Sequence, residues 1–386
     1  MIVFLLACGG PAPPADVAVE EVAAAEDPCL GHPCQVPPPA PADPSKGLAP
    51  YEVPLPDNVV AMPVPDGNPL THAGVALGRH LFYDPLLSGN DRQACASCHV
   101  QERSFTDPRP QSVGSEGAPL PRNSMALVNL AWTAPYFWDG RVQSLEELAL
   151  QPIERPDEMN QDLARLVDEL TSHPAYPALF EAAFPGEPIG PDTISKALAQ
   201  FLRTLVSFNS PADLVGRPDA GLTELQMEGM KLAAGGLPRN GPTIPDLCDA
   251  CHAHAAGLKE ARGMGLFTIS EPRGNGLPIG EDAGVFELSG VEADRGRFLV
   301  PTIRNLSVTA PYMHDGRFET LEDVVGHYDD SIVFGPGLDP PLAQDGTPLR
   351  LGMSDHERKA VAAVLGAFTD PVFLEAPAFS DPGPPQ

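Results

Sequence analysis

The chain carries one five-residue arrangement twice, Cys95-Ala96-Ser97-Cys98-His99 and Cys248-Asp249-Ala250-Cys251-His252. Two thiols so spaced, followed at once by an imidazole, support three kinds of chemistry. The thiols alone form a dithiol/disulfide redox pair, and thiols with His make half of a zinc site. The full Cys-x-x-Cys-His spacing suits covalent attachment of a c-type haem, in which the thiols add to vinyl groups and the His ligates iron. One copy leaves all three open. Two copies, each ending in His between helical segments, favour two haems, attached at Cys95, Cys98, Cys248 and Cys251 with His99 and His252 on the iron.

A second duplication lies downstream. Thr133-Ala134-Pro135-Tyr136-Phe137-Trp138-Asp139-Gly140-Arg141 matches Thr309-Ala310-Pro311-Tyr312-Met313-His314-Asp315-Gly316-Arg317, an offset of 176 (309 − 133). Ser144-Leu145-Glu146-Glu147 then aligns with Thr320-Leu321-Glu322-Asp323, so each copy starts a helix with a hydroxyl cap and an acid three residues on. Duplicated sequence implies duplicated geometry. In the second copy Leu321, Val324, Val325 and Tyr328 fall at i, i+3, i+4 and i+7, which places Tyr328 on the buried stripe of its helix. The equivalent position in the first copy is Pro152, which offers iron nothing. If this face lies over the haem, a phenolate caps the second iron and the first stays open. An ordinary core tyrosine satisfies the same spacing. Met313 and His327 are rival ligands, Met313 lying toward the turn and His327 about 100° off the stripe.

The elements that must position these residues follow a repeating plan. Val75, Leu77, Leu81 and Phe82 predict an amphipathic helix from Leu70 to Phe82 that delivers the chain to the first motif. A Pro- and Gly-rich loop spans 107–121, and helices are expected at roughly 159–172 and 193–208. A first domain ends near Pro211-Ala212-Asp213. Thr223 and Gln226 form a capping box before the helix that leads to the second motif, and a glycine-rich loop then runs to about 296. The last helix opens at Ser354, with Glu357 three residues on, and continues through Phe368. Each half is helix, haem motif, long loop, helix. The expected fold is all-α, with cytochrome c-like domains at 56–212 and 213–372, each holding one covalent haem. A disordered Pro/Ala/acidic linker at 9–55 precedes them and a disordered tail at 373–386 follows.

With 52 acidic and 24 basic residues in 386, the net charge is −28, which argues against nucleic acid or anionic lipid as a partner and serves solubility equally well. Covalent haem attachment belongs outside the cytosol. Leu5-Leu6-Ala7-Cys8 resembles a bacterial lipobox, so 1–8 reads as a signal-like segment and Cys8 as the site of a lipid anchor in the periplasm. No later stretch is long and apolar enough to span a bilayer, which leaves that lipid as the only membrane contact. Cys29 and Cys34 either close a small disulfide loop or remain two thiols.

Over roughly residues 57–372 the sequence resembles the bacterial di-haem cytochrome c peroxidase and MauG family. The resemblance rests on LGRHLFYDPLLSGNDRQACASCH, on Pro121-Arg122-Asn123-Ser124, on Phe137-Trp138-Asp139-Gly140-Arg141, and on VPTIRNLSVTAPYMHDG at 300–316. It implies a peroxide-binding N-terminal haem and an electron-storing C-terminal haem. By position it implies Trp138 as the relay between the haems and Glu158 as the distal acid/base. It further implies a calcium ion held by Asn123 with the carbonyls of Thr309 and Pro311, oxygen ligands that suit a hard cation. On the residues alone, interface packing accounts for Trp138 and a solvated helix start for Glu158.

Three departures from the family pattern bear on activity. The loop His that blocks the first iron in some members aligns with Ser115, which implies an open site at rest. Tyr328 stands where the peroxidases use Met, as in the MauG branch, and an anionic phenolate favours higher iron oxidation states where a thioether raises the potential. A distal glutamine aligns with Leu148, leaving Glu158 to manage the proton alone. The expected function is a periplasmic di-haem oxidoreductase that reduces hydrogen peroxide with electrons from a small cytochrome c, or from a protein or organic substrate in the MauG manner. The alternative is a lipid-anchored di-haem electron-transfer cytochrome without peroxidase activity.

Overall fold

The computed structural model describes residues 36–57, 59–214, 220–233, 248, 251–252 and 266–385. Cys8, Cys29 and Cys34 lie outside them, as does most of the expected glycine-rich loop before 266.

Helices dominate, and the one sheet among the described residues is a two-stranded ribbon, Ala343–Gln344 with Thr347–Pro348. In the first half α1 (His72–Tyr83) is capped by Thr71, whose hydroxyl accepts from the Gly74 N–H at 3.0 Å. Next come α2 (Leu145–Glu154), α3 (Leu163–Ser172), α4 (Tyr176–Ala183) and α5 (Pro191–Thr204). In the second half α6 (Glu224–Lys231) carries the Thr223/Gln226 capping box; then follow α7 (Phe286–Ser289), α8 (Leu321–Gly326), α9 (Asp355–Gly366) with its Ser354/Glu357 box, and α10 (Pro371–Glu375). None is long and apolar enough to cross a membrane.

Each half is built on one close helix crossing made possible by a glycine. A Cβ at Gly78 of α1 would stand 1.9 Å from the Ala197 carbonyl of α5, and one at Gly229 of α6 would stand 2.0 Å from the Ala360 carbonyl of α9. No side chain fits at either position.

The repeat holds at the level of single hydrogen bonds. Tyr136 Oη donates to the Leu130 carbonyl and Tyr312 Oη to the Leu306 carbonyl, each at 2.8 Å. The Tyr136 N–H donates to Val142 at 2.8 Å, the Tyr312 N–H to Phe318 at 2.7 Å. Asn129 and Asn305, at φ +54° and +60°, stand in the left-handed region at matching places. Ser144 caps α2 and Thr320 caps α8.

Several expectations need correction. The segment 373–386 is not a disordered tail, because Phe373, Ala376, Ala378 and Phe379 are buried in the hydrophobic core of the first half. Tyr83 Oη donates to the Phe379 carbonyl at 2.7 Å, and Arg79 donates to the carbonyls of Pro377 and Ser380. The described part of the 9–55 linker also packs: Asn209 exchanges hydrogen bonds with the Val36 backbone at 2.7 and 2.9 Å, and Tyr51 is buried. A polar clasp and a buried ring hold a segment whose average composition is that of a tether. Helix α3 starts at Leu163 under an Asp162 cap, leaving Glu158 in the preceding turn, and α5 stops at Thr204 where the Leu205 carbonyl accepts from Asn129 instead. The helix from Leu321 ends at Gly326 and continues as a π turn, His327–Ser331.

The halves meet along a polar seam. Arg122 pairs with Asp139 on its own side and with Asp282 across the seam, both at 2.6 Å. The Leu299 N–H donates to the Trp138 carbonyl and the Asn123 N–H to the His314 carbonyl, each at 2.7 Å. Arg304, fully buried, forms a two-pronged pair with Asp213 at 2.6 and 2.8 Å and lies between the rings of Phe208 and Phe267.

Candidate active site

The first motif opens on a cavity of about 540 Å³ lined by Cys95, Cys98 and His99, with Phe82, Leu130, Leu198 and Leu202 among its apolar walls. His99 is fixed by its Nδ1, which donates to the Phe105 carbonyl at 2.7 Å. That bond leaves Nε2 with its lone pair, the tautomer an iron ligand needs. Phe105 holds the carbonyl in place at φ +58°, a backbone conformation costly for an aromatic residue and therefore informative at a site.

The second motif repeats the device. His252 Nδ1 faces the Phe267 carbonyl at 3.3 Å, and Phe267 also stands at positive φ, +53°. Burial pushes both imidazoles down toward the neutral form, against the carbonyls that favour the proton.

Burial also pushes the Cys95 thiol up to about 12 and the Cys251 thiol up to about 11. A redox pair or a zinc site calls for the opposite shift, because thiolate is the reactive and metal-binding form. The donor set therefore fits covalent haem better than either alternative. In the second half Arg273 and Asp339 both act on the Cys251 thiol; the Arg273 guanidinium pairs with Glu271 at 2.8 Å and with Asp339 at 3.2 Å, while its buried Nε has no hydrogen-bond partner among the described residues.

Glu158 lines the first cavity, as do Leu148 and Pro152. Desolvation raises its carboxyl above the ordinary glutamate range; Arg155, with Nε 3.6 Å from Oε2, and Arg141 oppose this, while Asp157 adds to it. The Ser115 N–H donates to the Glu158 carbonyl at 2.7 Å, so the 112–117 loop lies against the acid, and Ser112, Val113 and Gly114 join the cavity wall. Three arginines, Arg122, Arg141 and Arg155, line the cavity. Sequence reasoning passed over them, although Arg122 and Arg141 stand inside the quoted motifs.

Trp138 also lines this cavity, donating from Nε1 to the Asn123 carbonyl at 2.8 Å. Its ring meets Phe298 and His314 edge to face, each at 6.4 Å, and those two rings stack on each other at 3.9 Å. The structure thus brings Trp138 to the seam, its Nε1 bonded to the first half and its ring against two rings of the second.

Tyr328 sits in the π turn; burial raises its pKa, and its hydroxyl is near enough to Cys251 and Cys248 for those thiols to raise it further. The side chain of Asn275 hydrogen-bonds it. His327 is buried beside it, with Nε2 bonded to the Asn275 carbonyl at 2.9 Å. The Met313 sulfur lies 3.5 Å from Asn275 Nδ2. Asn275 was not foreseen; its position between two glycines is the only signal the sequence offers.

Asn123 lies against the 309–314 loop through its bond to His314, while its side-chain amide faces the Arg109 and Pro110 carbonyls at 3.2 and 3.1 Å. Among the described residues no three acidic, His or Cys side chains form a metal cluster.

Comparison with known proteins agrees with this geometry. Residues 72–220 match the family model described as di-haem cytochrome c peroxidase. The chain is 37% identical over 309 residues to methylamine utilization protein MauG of Methylorubrum extorquens, covering 79% of this chain and 80% of that protein. It is 32% identical over 275 residues to cytochrome c551 peroxidase of Pseudomonas aeruginosa, covering 70% and 75% respectively. Among solved structures it resembles a MauG-like protein associated with microbial copper homeostasis, with a TM-score of 0.73 and 32% identity over 85% of this chain and 98% of that one.

Proposed function

The chain belongs to the di-haem cytochrome c peroxidase and MauG family and is a di-haem oxidoreductase; from that premise we propose that it reduces hydrogen peroxide in the periplasm at an open N-terminal site wired to a closed C-terminal one. The observation that carries this reading is the asymmetry of the twin sites. Pro152 lines the first cavity at the position where the second half places Tyr328 near Cys251 and Cys248.

Cys95 and Cys98 anchor the first haem and Cys248 and Cys251 the second, with His99 and His252 presenting Nε2. Bound there, haem supplies iron that exchanges electrons with peroxide. Glu158, held in a mostly apolar wall, takes the first proton from peroxide and returns it to the departing oxygen; two electrons and two protons in all give two waters. Arg155 and Arg141 keep the carboxyl in reach of ionisation despite its burial. Trp138 would pass electrons across the seam, its ring lying against Phe298 and His314 of the second half while its Nε1 bonds the Asn123 carbonyl of its own half. Tyr328 would hold the second iron as a phenolate, a ligand that suits that site to sharing an oxidising equivalent. Asn123 with the Thr309 and Pro311 carbonyls would hold a calcium ion that steadies the seam.

The electrons come from a small cytochrome c or from a protein or organic substrate oxidised at the surface; the phenolate favours the second. Covalent attachment of haem supports a site of action outside the cytosol.

The resting ferric protein tests this reading. One high-spin and one low-spin haem are expected in its optical and EPR spectra, and two six-coordinate low-spin haems would overturn it. Peroxide added with and without reduced cytochrome separates the two kinds of donor.

A further inference from the structure

Met313, His327 and Tyr328 each carry an atom that can bind iron, and one residue touches all three. Asn275 lies in Arg273-Gly274-Asn275-Gly276, a stretch with little freedom to move. Arg273 exchanges backbone hydrogen bonds with Phe298 at 2.8 and 3.0 Å. A Cβ at Gly274 would stand 2.0 Å from the Gly337 carbonyl, and Gly276, at φ +72°, gives its carbonyl to the Val333 N–H at 2.8 Å.

Held in this way, Asn275 accepts from His327 Nε2 at 2.9 Å with its backbone carbonyl. Its side-chain Oδ1 accepts from the Leu277 N–H at 3.3 Å, which turns the NH2 end toward Met313 Sδ, 3.5 Å away, and toward Tyr328. The rings of His327 and Tyr328 are themselves in edge contact at 5.1 Å. An imidazole nitrogen that donates its proton to a carbonyl has no lone pair left for a metal, and the amide tethers the Met313 sulfur at Asn275, whereas a phenolate oxygen has lone pairs for an amide donor and a metal together.

We propose that Asn275 is the positioning residue that selects the axial ligand of the second haem, occupying the donor atoms of His327 and Met313 while supporting the oxygen of Tyr328. The proposal rests on the reading that Tyr328 is that ligand. Its second consequence is electronic: the amide draws charge from the phenolate, so its loss strengthens the ligand and lowers the reduction potential of this haem.

The test uses the ferric di-haem protein, read by low-temperature EPR, near-infrared magnetic circular dichroism and potentiometric titration. Tyr328→Phe is expected to change the low-spin signal; an unchanged signal would overturn the ligand reading itself. Asn275→Ala is expected to split the low-spin signal into two or more species, one with the charge-transfer band of methionine ligation, and to lower the potential of the species that keeps Tyr328. Adding Met313→Leu to Asn275→Ala should remove the methionine band, while Met313→Leu alone keeps the native spectrum. If Tyr328→Phe alters the signal but Asn275→Ala leaves one native low-spin species at the native potential, the ligand reading stands and the role of Asn275 is refuted. Should Asn275→Ala fail to fold, Asn275→Asp keeps the shape and Oδ1 but removes the donor; a split signal supports the proposal and a native one overturns it.

Discussion

Trp138 and His314 occupy equivalent places in the two copies of the repeat, and in the folded protein their rings meet edge to face across the seam, 6.4 Å apart at 74°. The duplication has thus placed one member of each half in contact with the other, and only one of the two is a tryptophan, the more readily oxidised ring. Trp138→Phe keeps the edge contact but loses the Nε1 bond to the Asn123 carbonyl. Peroxide-dependent turnover is expected to fall at least about tenfold, equivalent to 1.4 kcal/mol on the barrier. The resting spectra of both haems stay native, and stability falls by about 1 kcal/mol for the lost bond. Stopped-flow spectroscopy, in which loss of electron exchange between haems accompanies the rate loss, checks this; an unchanged rate removes Trp138 from the path.

Gly78→Ala and Gly229→Ala are expected to destabilise, although alanine is ordinarily the better helix residue by about 1 kcal/mol. The added methyl meets a backbone carbonyl in each case, Ala197 at 1.9 Å and Ala360 at 2.0 Å, and a backbone cannot move aside as a side chain can. Overpacking of this kind costs about 1–3 kcal/mol. Denaturant unfolding followed at the Soret band and by circular dichroism is the measurement, and a stabilised variant would show that the crossing yields.

What could be seen in the sequence was what its signals encode locally. The capping boxes at Thr223/Gln226 and Ser354/Glu357 formed as written, because hydroxyl, acid or amide and spacing suffice to satisfy the first N–H groups of a helix. The repeat, from the caps to the paired tyrosines, carried over into geometry for the same reason. The switch to a π turn at His327–Ser331 has no such local code, so a straight 3.6-residue stripe misjudged the turn that holds Tyr328. Glu158 looked like a solvated helix start, whereas its side chain is partly buried in the wall of the first cavity beside the 112–117 loop, more than forty residues away in sequence and joined to its backbone at Ser115. Long-range packing also decides residues 373–386, expected as a disordered tail, where two phenylalanines make the segment part of the first core.

Phe379→Ala follows from that packing. The ring is fully buried beside Phe373, 5.4 Å between centroids, in the core that also holds α1 and α5. Truncating a buried phenylalanine costs about 3–5 kcal/mol. Thermal unfolding should show the first half weakened, with the optical signal of its haem lost at lower temperature. Equal loss in a variant ending at residue 370 would tie the effect to the C-terminal segment; an unaffected first half would mean that this segment does not support it.

Calcium at the seam predicts a chelator effect. A cation bound only to the folded protein at a hundredfold excess over Kd adds about 2.7 kcal/mol, and EGTA is expected to remove it. Asn123→Ala should abolish the difference between chelated and calcium-loaded protein in thermal unfolding, because the side-chain oxygen is gone. A wild-type midpoint indifferent to EGTA and added calcium argues that the Asn123, Thr309 and Pro311 oxygens hold no ion.

Glu158 gives the sharpest pH prediction. Desolvation raises its carboxyl, and Arg155 is the first of the groups that pull it back. The first proton transfer needs the ionised carboxylate, so kcat/KM for peroxide is expected to rise with pH through a value above the ordinary glutamate range. Glu158→Gln removes that limb and lowers the rate by about 10²–10⁴. Arg155→Met removes the compensating cation, so the limb moves to higher pH while the rate on the plateau changes little. Stability moves the other way from the usual carboxylate. A raised pKa means that the folded protein holds more protons than the unfolded one, so this group's contribution is fully present below the unfolded value and is lost as pH rises through the folded one. The Arg155→Met protein should lose stability over that window more than the wild type does. A limb that stays in place when Arg155 is removed would show that another group, and not Glu158, handles the proton.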